Sequence, residues 1–198
     1  MIKTIIFDWG GILTIGEHTP EWVALIEEKY GVSDVRSKIQ DLILAMDVDK
    51  ISFTEFCNTV NLRLNINTNV DEMKTFFAKG IRPNKEMIEI VKGLKNYKLL
   101  MLSNNTQPNV EAIKENYPEM LQGFERLYFS NELKLSKPDL RIYEYILQDL
   151  GLVAAECVFI DDKEKNILAC EEVGINGIWF KDMAGFKNEL SRLGVELP

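Results

Sequence analysis

Short apolar runs that end abruptly in polar residues alternate along this chain with stretches of helical periodicity. Ile5-Ile6-Phe7 runs into Asp8, and Lys98-Leu99-Leu100-Met101-Leu102 into Ser103-Asn104-Asn105-Thr106. Cys157-Val158-Phe159-Ile160 runs into Asp161-Asp162, and Ile175 to Phe180 into Lys181-Asp182; Leu127-Tyr128-Phe129 is a weaker run. Unbroken apolar runs of this length suit strands buried on both faces, as in a parallel sheet. Between them, Met87 to Leu94 is apolar at 87, 88, 90, 91 and 94. Ile142 to Leu150 repeats the spacing and stops at Gly151, and Ile167 to Val173 stops at Gly174. Glycine just past a helix is a natural terminator. Strands alternating with such helices predict an α/β fold, a doubly wound parallel sheet with ligands beyond the strands' carboxyl ends. All of the polar punctuation falls at those ends.

Residues 17–81 break the alternation and carry only helical signals. Pro20 opens Glu21–Tyr30 ahead of Gly31, Ser33 precedes Val35–Met46, and Ser52-x-x-Glu55 is a capping box for Phe56–Leu64. The polar stretch Asn65–Asn69 precedes a further short helix, Val70–Ala78, and Gly80 and Pro83 close the segment. The pattern predicts a small α-helical cap, residues 17–81, inserted between the first two strands of a core domain formed by 1–16 and 82–198. Such a cap would exclude water from the strand ends and sort substrates.

Composition narrows the field. With 23 basic and 31 acidic residues the net charge is −8, which disfavours sequence-independent nucleic-acid binding. The first apolar run is interrupted by Asp8 and is far too short to span a bilayer, so no membrane association is expected. Three scattered cysteines, Cys57, Cys157 and Cys170, read as reduced core thiols of a cytoplasmic protein.

Each strand end supplies a different chemical group. Asp8 is a potential nucleophile or metal ligand, and Gly10 and Gly11 let the backbone approach whatever it touches. Ser103 and Asn104 offer hydrogen bonds to anionic oxygens. Lys137, in Leu135-Ser136-Lys137-Pro138-Asp139, is a cation just before a helix. Asp161 and Asp162 would repel each other and Asp8 unless a cation sat between them. Oxygen ligands without a His or Cys cluster point to Mg²⁺ rather than zinc. A carboxylate nucleophile, hydroxyl and amide donors, a lysine and a Mg²⁺ site are the parts that phosphoryl transfer requires. Singly, each residue has an ordinary explanation as a turn, cap or surface group; their joint order carries the signal.

With those motifs in order across nearly its whole length, the chain resembles the haloacid dehalogenase (HAD) superfamily, in the group with a helical cap after the first motif. The resemblance implies a Rossmann-like core, Asp8 as aspartyl nucleophile, Ser103 as phosphate-binding hydroxyl and Lys137 as the motif lysine. It also implies a metal shell from Asp8, the Gly10 carbonyl and the acidic pair, with Asp162 favoured over Asp161 as the direct ligand. Trp9, Gly10 and Asn104 would join Ser103 and Lys137 around the substrate. The departure is Gly10, where family phosphatases usually carry a second Asp that protonates the leaving group. General acid–base catalysis worth roughly 10²–10⁴-fold must then come from elsewhere or be forgone. Relatives resembling sugar-phosphate phosphatases share the Asp-x-Gly first motif, so its loss does not imply loss of activity.

The expectation is therefore a Mg²⁺-dependent phosphatase of small phosphorylated metabolites, sugar phosphates among them, working as a monomer or homodimer. The alternatives are a 2-haloacid dehalogenase and a weakly catalytic protein that binds a phosphorylated ligand. His18, the only histidine, and the neighbouring Glu17 and Glu21 sit where a substitute acid–base group would be sought, but a solvated loop is the better account of them.

Overall fold

The computed structural model describes residues 1–16 and 18–197, with the backbone alone at 18–20 and 47. Five strands form one sheet: β1 (Thr4–Phe7), β2 (Lys98–Ser103), β3 (Arg126–Phe129), β4 (Cys157–Asp161) and β5 (Asn176–Trp179). Their order is β3-β2-β1-β4-β5, and every pairing is parallel. Phe7 aligns with Met101 on one side and Ile160 on the other. That register brings Asp8 and Asp161, one residue further on, and Ser103, two further on, together at the carboxyl end of the sheet.

Alternate strand residues feed opposite faces, as the period of two requires. Ile5, Phe7, Met101, Val158 and Ile160 pack under α5 (Lys85–Gly93), α6 (Gln107–Asn116) and α10 (Met183–Arg192). Ile6, Leu100, Leu102 and Phe159 pack under α8 (Leu140–Asp149) and α9 (Glu164–Glu172). The doubly wound α/β fold expected from the sequence is thus present, and the weak run at Leu127–Phe129 lies within β3. Close approach of α9 to β5 depends on Gly177, where a Cβ would lie 2.5 Å from Ile167 Cγ2. Helix α6 has too little apolar periodicity to stand out in the sequence, burying only Val110, Ala112 and Ile113 among its aliphatic residues; α10, absent from the sequence-based expectation, carries Met183, Phe186 and Leu190 on one face.

Between β1 and β2 lie α1 (His18–Tyr30), α2 (Val35–Asp47), α3 (Phe53–Leu64) and α4 (Val70–Lys79). They enclose an apolar cluster of their own, centred on Trp22, Phe56 and Phe77, with the Trp22 and Phe77 rings stacked at 4.3 Å. The Ser52 capping box forms in full: Ser52 Oγ accepts from Glu55 N, and Glu55 Oε2 accepts from Ser52 N at 2.8 Å. Ser33, by contrast, does not cap α2; the first helical amide, Val35 N, donates to Glu27 Oε1 at 2.9 Å. The chain enters and leaves this segment through a clasp. Thr14 pairs with Pro83 in an antiparallel bridge, Ile15 N donates to Arg82 O, and Asn84 N donates to Leu13 O.

All three cysteines are buried and free. Burial pushes the Cys57 and Cys157 thiols up to about 11 and Cys170 to about 12, so they stay protonated and unreactive at neutral pH. Among the described residues no helix is long and apolar enough to cross a membrane.

Candidate active site

Asp8 follows β1 directly, buried to 5% exposure, with its backbone N–H donating to Ile160 O. A carboxylate so placed needs a partner, and Lys137 supplies it. Lys137 is itself 4% exposed, and its ammonium donates to Asp8 Oδ1 at 2.7 Å, Asp161 Oδ2 at 2.7 Å and Leu102 O at 2.9 Å. Those three contacts use all three of its protons. Asp161, fully buried at the end of β4, accepts from Asn166 Nδ2 on both oxygens and from Lys163 N. The loop bearing Lys137 is held by Asn104, whose Nδ2 donates to Lys137 O while its Oδ1 accepts from Lys137 N. The Asn104 side chain is therefore committed to the protein.

Burial pushes the Asp8 carboxyl up to about 7; Lys137 opposes the shift and Asp161 reinforces it. Burial also works against the Lys137 ammonium, but the carboxylates of Asp8 and Asp161 outweigh it and hold its pKa above the usual lysine value. Carboxylate oxygens of Asp8, Asp161 and Asp162 lie within 4.8 Å of one another. The three clustered carboxylates outnumber the ammoniums of Lys137 and Lys163; a hard divalent cation would neutralise the remaining negative charge, and the all-oxygen donor set fits Mg²⁺. Asp161 is engaged by Lys137 and Asn166; the other acid of the pair is Asp162. It packs against Gly11, where a Cβ would sit 2.6 Å from Asp162 Oδ2 and where φ is +74°. The neighbouring Gly10 is different: a Cβ there would meet nothing within 4 Å.

A cavity of about 420 Å³ opens beyond the strand ends. Asp8, Trp9, Gly10, Ser103, Asn104 and Lys137 all line it. Trp9 does so from within the core, at 2% exposure. The opposite wall is α2, through Arg36, Gln40, Ile43 and Leu44, with Trp22 and Phe77 between. All the residues expected from the sequence are thus brought together, six around the cavity and the two acids beside Asp8. Glu21 instead pairs with Arg82, and Glu17 and the His18 side chain lie outside the described residues.

The model of the haloacid dehalogenase-like hydrolases matches residues 2–174. The chain belongs to that family. It is 25% identical over 197 residues to the sesquiterpene phosphatase astK of Aspergillus oryzae, which covers 96% of either chain. It is 25% identical over 205 residues to the D-ribitol-5-phosphate phosphatase of Bacteroides thetaiotaomicron, covering 96% of this chain and 98% of the other. A mutant HAD family enzyme from Bacteroides thetaiotaomicron, solved with magnesium and inorganic phosphate, superposes with a TM-score of 0.80. That match is 22% identical and covers 91% of this chain and 95% of the other.

Several residues of this HAD-like site escape sequence reasoning. Asn166 is visible only as a polar residue opening an otherwise apolar helix face. Arg36, Gln40, Ile43 and Leu44 recur at one-face helical spacing, but the spacing does not say whether that face meets a cavity or solvent. Thr106 and Asn109 follow the Ser103-Asn104 motif and read as loop residues.

Proposed function

We propose that this HAD-like hydrolase is a Mg²⁺-dependent phosphatase of small phosphomonoesters that works through an aspartyl-phosphate on Asp8. The observation that carries the reading is Lys137 held between Asp8 and Asp161 at the floor of a cavity that also presents Ser103. That both full-length relatives are phosphatases supports it. Lys137 fixes one Asp8 oxygen and leaves the other to attack phosphorus in line. The Asp8 O–P bond forms as the bond to the leaving oxygen breaks, and the electron pair departs with that oxygen. Ser103 and the Asn104 main chain receive the phosphoryl oxygens, and water then cleaves the acyl phosphate and regenerates Asp8. Asp8, Asp162 and the Gly10 carbonyl would hold Mg²⁺, with Asp161 steadying Lys137 beside them. The ion would neutralise phosphate charge as it builds in the transition state. In this reading residues 17–81 are the cap over a core of 1–16 and 82–198, and the protein is cytoplasmic.

Release of inorganic phosphate from p-nitrophenyl phosphate and a panel of sugar phosphates should fall at least about 100-fold with EDTA and return with Mg²⁺. Release indifferent to chelation would remove the metal from the mechanism. Asp162 beside Asp8 also weighs against the 2-haloacid dehalogenase alternative, which has no need of that acid.

The open space at Gly10 makes a second test. Gly10→Asp would place a carboxyl where nothing obstructs a side chain, restoring a proton donor near the leaving oxygen. A positioned general acid contributes about 10²–10⁴-fold, and poor leaving groups need it most. Turnover of alkyl phosphates should rise at least tenfold relative to that of p-nitrophenyl phosphate. An unchanged ratio would show that protonation does not limit the reaction.

A further inference from the structure

Strand β5 lies at one edge of the sheet, and side chains at both of its ends reach across to the chain of β4. At its start, Asn176 Nδ2 donates to Ala155 O at 3.1 Å and to Cys157 O at 2.8 Å. At its end, Trp179 aligns with Asp161, and the indole Nε1–H donates to Asp162 O at 3.1 Å. The next residue, Phe180, donates its backbone N–H to Asp161 O at 2.9 Å. Both carbonyls of the acidic pair are thus tied to the end of β5, one by main chain and the other by a side chain.

Trp179 is 40% exposed. Leucine or phenylalanine would cover much the same apolar neighbours; what the indole adds is a hydrogen-bond donor on a rigid ring. That ring is held from two directions. Its N–H points at Asp162 O, and the Lys181 ammonium stands over its face, 3.8 Å from the centroid, where a cation is attracted to the ring. Asp162 lies after β4 and before α9, so neither element fixes its peptide planes. Its carboxylate packs so closely on Gly11 that a Cβ there would lie 2.6 Å from Oδ2. A small rotation of the Asp162 main chain would therefore drive the carboxylate into the loop after β1 or away from Asp8. A metal ligand is only as well placed as the bonds behind it, and losing one of those typically costs about 10–100-fold in metal affinity.

We propose that Trp179 is a positioning residue for the metal site: its indole N–H holds the Asp162 main chain so that the carboxylate meets Mg²⁺ beside Asp8. This rests on the reading of Asp162 as a Mg²⁺ ligand. The rival account is that Trp179, like Asn176, does no more than fasten a short edge strand.

The test compares the wild type with Trp179→Phe and Asn176→Ala. Trp179→Phe keeps an aromatic face for Lys181 and removes the N–H; Asn176→Ala releases the end of the same strand remote from the acids. Mg²⁺ is titrated against the melting temperature of the metal-free protein without substrate, and separately against phosphate release from p-nitrophenyl phosphate. In Trp179→Phe the Mg²⁺ needed for a given rise in melting temperature, and for half-maximal activity, should each increase at least about tenfold. Its kcat at saturating Mg²⁺ should stay within about twofold of the wild type. Being conservative and at an edge, it should move the metal-free melting temperature by no more than about 4 °C. Asn176→Ala should lower the metal-free melting temperature and leave both Mg²⁺ requirements at the wild-type level. An unchanged Mg²⁺ requirement in Trp179→Phe would overturn the proposal. An equal increase in Asn176→Ala would overturn it too, by tracing the effect to the strand rather than the indole. A wild type that responds to Mg²⁺ in neither assay would bring down the metal reading and this inference together, whereas a responsive wild type with an indifferent Trp179→Phe sinks the inference alone.

Discussion

Asp8→Asn is expected to abolish turnover and, in the same protein, to raise the melting temperature of the metal-free fold. An amide cannot serve as the nucleophile, so the loss should be on the order of 10⁴-fold or more. The stability gain has a separate origin. Burial holds the Asp8 carboxyl at about 7 against an ordinary 3.8, so the fold binds that proton more tightly than the unfolded chain does. Asp8 therefore contributes its full stability below about pH 4 and loses it progressively as pH rises to about 7. Above that the ionised group weighs against the fold, a burden that Asp8→Asn lacks. The gap in melting temperature should be smallest near pH 4, widen through neutrality and then level off. In a domain of this size each kcal/mol corresponds to about 2–4 °C, so a gain of several degrees is expected at pH 8. Mg²⁺ should narrow the gap by stabilising the wild type. Calorimetry in EDTA and in Mg²⁺ across this range checks all of this; a gap independent of pH would refute the account of a burdened carboxylate.

Lys137→Met should act in the opposite direction on stability while also removing activity. It leaves Asp8 and Asp161 facing each other in the interior with no cation between them and strips Leu102 O of a donor. Breaking a buried ion pair from one side costs about 3–5 kcal/mol, on the order of 10 °C here. Because the residual charge is carboxylate, the deficit should shrink as pH falls below about 7 and Asp8 takes up its proton. If the variant does not fold at pH 8, recovery of the fold at pH 5 carries the same information. A melting temperature within 2 °C of the wild type at both pH values would show that Lys137 is not the counter-ion the geometry makes it. That Asp8→Asn stabilises and Lys137→Met destabilises is the mark of a site with surplus negative charge.

Much of this was legible in the sequence because both faces of the sheet are covered. When a strand is apolar throughout, the first polar residue after it marks the strand's carboxyl end, and Asp8, Ser103 and Asp161 announce themselves in that way. The same logic fails where an element is mostly solvated. Helix α6 shows only three buried aliphatic residues, so Thr106 and Asn109 pass for a loop although they border the cavity. Asp161 and Asp162 look alike in the sequence, yet one is locked to Lys137 and Asn166 and the other rests against Gly11. Adjacent residues at a strand's end point to opposite sides, and only the partners waiting on each side tell them apart.

The clasp formed by Thr14, Ile15 and Leu13 with Pro83, Arg82 and Asn84 has a consequence for how such a protein changes over time. The four helices depart from and return to nearly the same point, beside a sheet whose register is set elsewhere. The entropy of closing a loop rises only with the logarithm of its length, about 0.6 kcal/mol for each doubling. Exchanging this insert for a longer, shorter or differently surfaced one would therefore disturb no strand pairing. The carboxylates and lysine beneath can be inherited unchanged while the chemistry admitted to them is rewritten as a single module.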